Sequence, residues 1–294
     1  MEIESRVTGK TKIMGIIGNP VEHTVSPQLH NTISRRRGID AIYVPFKVDK
    51  SGLRSAVEGL RALNVTGFNV TVPFKNDIIP FLDQISEEAK LIGAVNTVKN
   101  VNGMLYGYNT DGEGFLRSLK KEAGVGFKDK KVVLIGAGGA ARAVGVKAAV
   151  NGAKSIVIIN RTVQKAEEIT GVINYNISDI ARCCSLDGEG AQKEFEESDI
   201  IVNTTSVGMY PDVDISPVIS TAGFSDRQLV CDIIYNPPRT KFLESALQKG
   251  SKVLNGLGML FFQGVYAYEI WMDITLSEEE VNSLYKSFAG IMKK

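Results

Sequence analysis

A lysine just past a strand that carries Asn and Thr, and an aspartate at the start of a glycine-bounded turn, are residue types that can move a proton to or from a substrate oxygen. The lysine is Lys75, closing the segment Phe68–Lys75, in which Asn69 and Thr71 share one strand face while Val70 and Val72 share the other. Pro73 fixes the turn and limits how far Lys75 can range. The aspartate is Asp111, within Gly107–Gly112. Both follow strand-like segments of one region, so the fold can bring them together, with Asn96 as a neutral donor and acceptor beside them. Residue type alone leaves two other readings open: a solvated Lys75, and an Asp111 that only starts a helix.

A second group suits a small anion. The loop Val21–Pro27 leads into a helix for which Ser26 is the expected N-cap and Pro27 the first helical residue. Hydroxyls and unpaired N–H groups at such a start can hold a carboxylate, which makes Thr24 and Ser26 candidates; simple capping and turning is the alternative. His23 reads as a loop residue. Gln263 is a lone polar group in the apolar helical stretch that follows Asn255, and it needs a partner, either a substrate or a neighbouring backbone group.

A third group suits a dinucleotide. Lys131–Ile135 reads as a buried strand, runs into Gly136-Ala137-Gly138-Gly139-Ala140-Ala141, and continues as a helix over Arg142–Asn151. Gly136 permits the turn, Gly138 admits backbone close to a pyrophosphate, and the helix start faces the phosphates. A second apolar run, Ser155–Ile159, completes a βαβ unit. An NAD site usually has an acidic residue at the end of this strand; here stand Asn160, Arg161 and Thr162, with Lys165 one turn on, so NADP(H) is favoured through its 2′-phosphate. A solvated basic helix start is the alternative. The polar loop Thr204–Met209 is likewise poised at a strand end.

These groups need a scaffold of ordinary soluble character. The chain has 294 residues, 44% hydrophobic and 23% charged, with a formal net charge of +1, which gives no bulk positive charge for nucleic acid. Its length suits two domains. Two histidines do not make a histidine-based metal centre, and Cys183, Cys184 and Cys231 form no staple or ligand spacing, so a reducing cytoplasm is expected. No signal peptide, anchor or spanning segment is read. Strands at Ile13–Ile17, Ala41–Phe46 and Phe68–Val72, with helices after Ser26 and over Ser51–Leu63, predict an N-terminal α/β domain; Pro45 suggests an edge strand and Asn102-Gly103 a hairpin turn. Further expected elements are a helix over Phe115–Ala123, strands at Asp199–Asn203, Leu229–Ile234 and Lys252–Leu254, and helices over Lys241–Lys249, from Asn255 to Trp271 and over Ser277–Met292. Monomer and homodimer both stay open.

Seven ordered segments resemble the shikimate/quinate dehydrogenase family: Val25–Pro27 with His30-Asn31, Asn69–Lys75, Gly93–Thr97, Asn109–Gly112, Gly136–Ala140, Asn160–Thr162, and Gly256–Leu260 with Gln263. The resemblance implies two α/β domains with a cleft between them: a substrate-binding catalytic domain, residues 1–111 plus 256–294, and a Rossmann-like NADP-binding domain, residues 112–255. It implies NADP-linked interconversion of shikimate and 3-dehydroshikimate in the chorismate pathway to aromatic amino acids. Lys75 and Asp111 fall on the catalytic pair; Ser26, Asn69, Thr71, Asn96, Gln263 and Tyr235 fall on substrate positions, together with Thr24. Gly136, Ala137, Gly138, Gly139, Ala140, Asn160, Arg161, Thr162, Lys165, Thr204 and Gly256 are the cofactor set. The chain departs from the family pattern at Thr24, usually serine, and at Asn255, usually aspartate. Rival readings are a broader quinate/shikimate dehydrogenase that also uses NAD(H), a methylenetetrahydrofolate dehydrogenase, and a nucleotide-sensing protein without turnover; the second does not explain Ser26, Lys75, Asp111 and Gln263 together.

Overall fold

The structure, a computed structural model, describes residues 7–292 apart from Gly188, Ile219 and Thr221. The chain divides into two compact units, one running up to Thr110 and resuming at Gln263, the other Asp111–Phe262. Asp111 and residues 256–262 thus belong to the second unit. No helix among the described residues is long and apolar enough to cross a membrane.

The first unit is α/β. Its strands are β1 (Lys12–Gly18), β2 (Ala41–Lys47), β3 (Gly67–Val70), β4 (Gln84–Ile85), β5 (Thr97–Val101) and β6 (Met104–Tyr108), in the spatial order β2-β1-β3-β5-β6-β4. Helices α1 (Ser26–Arg36) and α2 (Leu53–Ala62) connect the parallel strands β1, β2 and β3, while β5 and β6 form an antiparallel hairpin. Pro45 lies on the edge strand β2, where its missing N–H costs no ladder bond. Asn102 and Gly103 both take positive φ, 52° and 87°, as a two-residue hairpin turn requires. The short helix α3 (Glu87–Ile92), capped by Ser86 and ended by left-handed Gly93, carried no apolar period long enough to read.

The second unit is a parallel sheet covered by helices. In chain order it contains α4 (Asp111–Ser118), β7 (Lys131–Ile135), α5 (Gly139–Val150), β8 (Ser155–Asn160), α6 (Val163–Asn176), β9 (Ala181–Ser185), α7 (Glu189–Glu197), β10 (Ile200–Asn203), β11 (Leu229–Asp232), α8 (Lys241–Gln248) and β12 (Lys252–Leu254). The helix α9 (Leu257–Met272) starts in this unit and ends in the first, to which α10 (Glu278–Ile291) also belongs. The sheet order is β12-β11-β10-β7-β8-β9 with every neighbouring pair parallel, so β10 and β11 are buried on both faces and read as unbroken apolar runs.

Four local expectations are corrected. Ser26 is the first residue of α1 rather than its N-cap; Val25 occupies the cap in helical backbone with no side-chain bond, and the Ser26 hydroxyl instead accepts from Thr24. Strand β3 ends at Val70, because Phe74 N–H bonds Thr71 C=O and starts a turn, which leaves Val72 64% exposed instead of sharing a buried face with Val70. Helix α5 starts at Gly139, three residues early, since extended Gly138 is its N-cap. Strand β11 stops at Asp232, whose carboxylate takes the Ile234 N–H in an Asx-turn.

The first unit has a polar residue at the centre of its aromatic packing. His30 is fully buried, stacked on Tyr43 with ring centroids 4.3 Å apart and tilted against Trp271 at 5.1 Å; neither ring nitrogen has a protein hydrogen-bond partner. Burial lowers its pKa to about 3, so the folded state keeps it neutral. An unfolded histidine takes up a proton below about pH 6.5, hence stability present at neutral pH is lost as pH falls from that value toward 3. At about pH 4.5 the loss amounts to roughly 3 kcal/mol. His30→Phe keeps the stacked ring and removes the titration. In urea unfolding at about pH 7.5 and pH 4.5, the wild type is expected to lose roughly 3 kcal/mol more than the variant; equal losses would mean that folded His30 accepts the proton.

Candidate active site

In the first unit a chain of buried hydrogen bonds joins β2, β3, β5 and the residues before α4. The Tyr43 hydroxyl donates to Asn69 Oδ1 at 2.7 Å, and Asn69 Nδ2 donates to Asn96 C=O and to Thr97 Oγ1, both at 3.1 Å. Asn96 Oδ1 accepts from the Thr110 N–H at 2.8 Å, from the Thr110 hydroxyl at 3.2 Å and from Thr97 Oγ1 at 3.0 Å. The Thr110 hydroxyl also reaches Gln263 Oε1 at 3.4 Å. Asn69, Asn96 and Gln263 therefore stand in one network. Burial pushes the Tyr43 phenol well above its ordinary pKa, so it stays a neutral donor. Asn31 clamps Tyr43 in place, its amide accepting the Tyr43 N–H at 2.8 Å and donating to the Tyr43 carbonyl at 3.0 Å.

Thr24 and Ser26 lie next to one another at the start of α1, both half-buried. Thr24 Oγ1 donates to Ser26 Oγ at 3.2 Å and accepts the Ser26 N–H at 3.3 Å. Thr71 and Lys75 flank a turn held by Phe74, whose ring is fully buried. The Lys75 carbonyl accepts from Val95 N–H at 2.8 Å, and Asn76 Nδ2 donates to Gly93 C=O at 2.6 Å, so the backbone around Lys75 is fixed on both sides. Tyr43, Thr97 and Thr110 belong to the same network but carried no signal of their own in the sequence: Tyr43 is one aromatic in an apolar strand, and the threonines gain meaning only from the pairing of β5 with β3 and β6.

In the second unit Asp111 is the first residue of α4, directly after Thr110. A Cβ on Gly112 would come within 2.7 Å of the Ala143 carbonyl oxygen, so the glycine allows α4 to lie close on α5. Buried Lys147 pairs with Glu113 at 3.2 Å, and Arg117 holds the same carboxylate at 3.0 Å. Helix-start Asp111 is thus set on a rigid two-helix contact.

The turn after β7 fits a dinucleotide. Gly136 has φ +106°, and any Cβ there would meet Thr205 Cγ2 at 2.7 Å and Thr204 Oγ1 at 2.9 Å. Thr204 is buried, and its hydroxyl donates to Ile135 C=O at 2.7 Å, so it supports the turn from below. Side chains added at Gly138 or Gly139 would meet no protein atom within 4 Å, leaving room over the start of α5 for a pyrophosphate. Ala137 and Ala140 flank these glycines in the same turn. At the end of β8, Asn160 Nδ2 donates to Thr162 C=O at 2.8 Å, while Arg161, Thr162 and Lys165 are exposed. Among the described residues neither Arg161 nor Lys165 is held in an ion pair, and no carboxylate ends the strand. The donor set suits a 2′-phosphate rather than a bare ribose diol.

The order of the sheet reverses between β7 and β10, and a groove of about 390 Å³ lies beyond β10 and β11, lined by Thr204–Ser206, Met209, Tyr210 and Ile233–Asn236. Tyr235 is 36% exposed in its wall. Gly256 has a packing reason of its own, since a Cβ would sit 1.9 Å from the Ile233 carbonyl oxygen.

Two family models match the chain: "Shikimate dehydrogenase substrate binding domain" over residues 16–98 and "Shikimate / quinate 5-dehydrogenase" over residues 118–210. A shikimate dehydrogenase (NADP(+)) of Desulforamulus reducens is 44% identical over 97% of this chain and 98% of its own. The crystal structure of shikimate 5-dehydrogenase from Listeria monocytogenes, in complex with shikimate and NAD, is 39% identical and superposes with a TM-score of 0.91 over 96% of this chain and 99% of that one. A shikimate dehydrogenase in complex with NADP+ is 38% identical with a TM-score of 0.89 over the whole of both chains. With identity at this level along nearly its entire length, and with the glycine turn and the buried Asn69–Asn96–Thr110 network in place, the chain belongs to the shikimate dehydrogenase family.

Proposed function

We propose that this protein is an NADP-dependent oxidoreductase that reversibly reduces 3-dehydroshikimate to shikimate in the chorismate route to aromatic amino acids. The observation that carries the reading is the pairing of a buried polar network around Asn69, Asn96 and Gln263 with a glycine turn whose neighbouring strand ends in Asn160, Arg161 and Thr162 rather than an acid. NADPH, bound on the Gly136–Ala140 turn with its 2′-phosphate on Arg161, supplies the hydride. Lys75 as an ammonium hydrogen-bonds the C3 ketone oxygen and gives it a proton as charge builds there. Asp111 bonds substrate hydroxyls. In the reverse direction the pair takes up the alcohol proton.

Thr24 and Ser26 hold the substrate carboxylate, and Asn69, Thr71, Asn96, Tyr235 and Gln263 read the ring hydroxyls. Asn69 spends both amide protons inside the protein, so it meets a substrate hydroxyl as an acceptor. In this reading residues 1–111 with 256–294 serve the substrate and residues 112–255 the cofactor, and the protein works in the reducing cytoplasm, where its free cysteines persist.

A broader reading, with quinate and NAD(H) also turned over, is favoured by Thr24, whose methyl replaces the hydrogen of the usual serine and changes the space at the carboxylate. Reduction of NADP⁺ followed in absorbance with shikimate, beside quinate and beside NAD⁺, decides. Signal with shikimate and NADP⁺ alone supports the narrow reading, comparable signal with quinate or NAD⁺ the broader one, and silence throughout removes both.

Lys75→Ala is expected to lower kcat by about 10²-fold or more with NADPH binding nearly intact; wild-type turnover would remove the role of Lys75. Arg161→Ala is expected to raise KM for NADPH by about tenfold or more, the scale of a lost charge-assisted contact, with little change for NADH. An equal effect on both cofactors would remove the 2′-phosphate assignment.

A further inference from the structure

The central strands β10 and β11 end in register on two polar residues, Asn203 and Asp232, which are 0% and 1% exposed. Asp232 Oδ1 accepts from Asn203 Nδ2 at 3.1 Å and from Ile234 N–H at 3.0 Å, and its Oδ2 accepts the Thr240 hydroxyl at 2.7 Å. Asn203 Oδ1 in turn accepts the Thr205 N–H at 3.0 Å and the Thr205 hydroxyl at 2.7 Å. One carboxylate thereby ties together both walls of the 390 Å³ groove: Thr204–Tyr210 through Asn203, and Ile233–Asn236 through Ile234 and Thr240. The walls also meet directly, Tyr210 N–H donating to Asn236 C=O at 3.3 Å.

An ionised carboxylate accepts all three converging donors and has no proton of its own to place. Among the described residues no lysine, arginine or histidine pairs with it. Burial raises the Asp232 pKa to about 6, against the three hydrogen bonds that lower it. A buried anion without a counter-ion is a costly way to cross-link two loops, and a neutral side chain would serve stability alone at lower cost. The position of the groove gives the carboxylate a use. With the 2′-phosphate on Arg161 beyond β8 and the pyrophosphate over α5, a dinucleotide crossing the point where strand order reverses ends over β10 and β11.

We propose that Asp232 is a positioning residue for the nicotinamide end of the cofactor, fixing the two loops that form its groove; this rests on the NADP-dependent reading above. It touches no substrate. Loss of the ionised carboxylate frees both walls and weakens NADPH, while the substrate carboxylate at Thr24 and Ser26 is held as before. The titratable neighbour on its own strand is Cys231, whose thiol burial pushes far up, so it stays neutral; the partners on β10 and before α8, Asn203 and Thr240, do not titrate.

The test is steady-state kinetics with NADPH and 3-dehydroshikimate. Asp232→Asn is expected to raise KM for NADPH about tenfold or more, and KM for 3-dehydroshikimate several times less, by what Tyr235 on the freed wall contributes. From about pH 8 to about pH 5.5 the wild type is expected to lose NADPH affinity more steeply than the variant. The 2′-phosphate of NADPH titrates in that range with both proteins, so the difference between them reports Asp232. An unchanged KM for NADPH in a folded Asp232→Asn overturns the proposal. If that variant fails to fold, Thr240→Val replaces it, with Thr240→Ser as the hydroxyl-retaining control: weakened NADPH in the valine variant alone supports the proposal, and equal values in all three proteins overturn it. Inactive wild type would sink the oxidoreductase reading itself, whereas active wild type with an indifferent Asp232→Asn sinks only the positioning role.

Discussion

A parallel sheet ends its strands in polar groups that water does not reach, and each must find a partner inside the protein. Both units meet this demand with side-chain amides at the strand ends. In the first, Asn69 on β3 bonds Asn96 and Thr97, and Asn96 bonds Thr110. In the second, Asn203 on β10 bonds Asp232 on β11 and the Thr205 backbone. An amide suits the task because it donates and accepts at once, so one residue can join two segments. The same bonds that satisfy the strand ends hold the loops carrying the candidate chemistry.

Cofactor choice follows from a different economy of charge. The glycine turn suits phosphate through backbone geometry, which Gly136 provides with its positive φ and the start of α5 with the N–H groups of its first turn. That geometry does not distinguish NAD from NADP. In the proposed reading the distinction rests on the end of β8, where Asn160 ties its amide to Thr162 C=O and Arg161 is exposed. A guanidinium there is drawn to a dianionic phosphate far more than to a ribose diol, and no carboxylate competes for it.

Much of the fold was legible in the sequence because buried parallel strands are continuous apolar runs: Lys131–Ile135 and Ser155–Ile159 appear where they were read, as do the Asn102-Gly103 turn and the edge strand with Pro45. Boundaries set by side chains folding back on the backbone were not legible. Asp232 ends β11 through a bond to Ile234 N–H, and Ser26 lies inside the first turn of α1 with Val25 at the cap and Thr24 bonded to its hydroxyl. Weak-period elements such as α3, α6 and β9 also escaped, since short or mixed surfaces carry little periodic signal. Of the candidate site, Gln263 was legible as a lone polar group in an apolar helical stretch, Asn69 as a polar position paired with Thr71 on one strand face, and Asn96 as an amide beside strand-like segments. Tyr43, Thr110 and Asp232 were not, because their roles arise from which strands lie side by side, and spacing along the chain does not encode that.

The two departures from the family pattern have different physical weight. Thr24 keeps the hydroxyl of the usual serine, and that hydroxyl is engaged with Ser26, so what changes is a methyl's worth of space. Asn255 changes hydrogen-bond chemistry. Its Oδ1 accepts the Leu257 N–H at 3.1 Å at the start of α9, a bond that an aspartate would make equally well. Its Nδ2 donates to Pro238 C=O at 3.0 Å, a bond that an ionised aspartate has no proton to make. Pro238 lies in the segment whose ends Asp232 holds at Ile234 and Thr240. In this chain the asparagine therefore adds a third fixed point, in the middle of the loop that carries Tyr235, where an aspartate would set a carboxylate against a carbonyl oxygen and push the loop away.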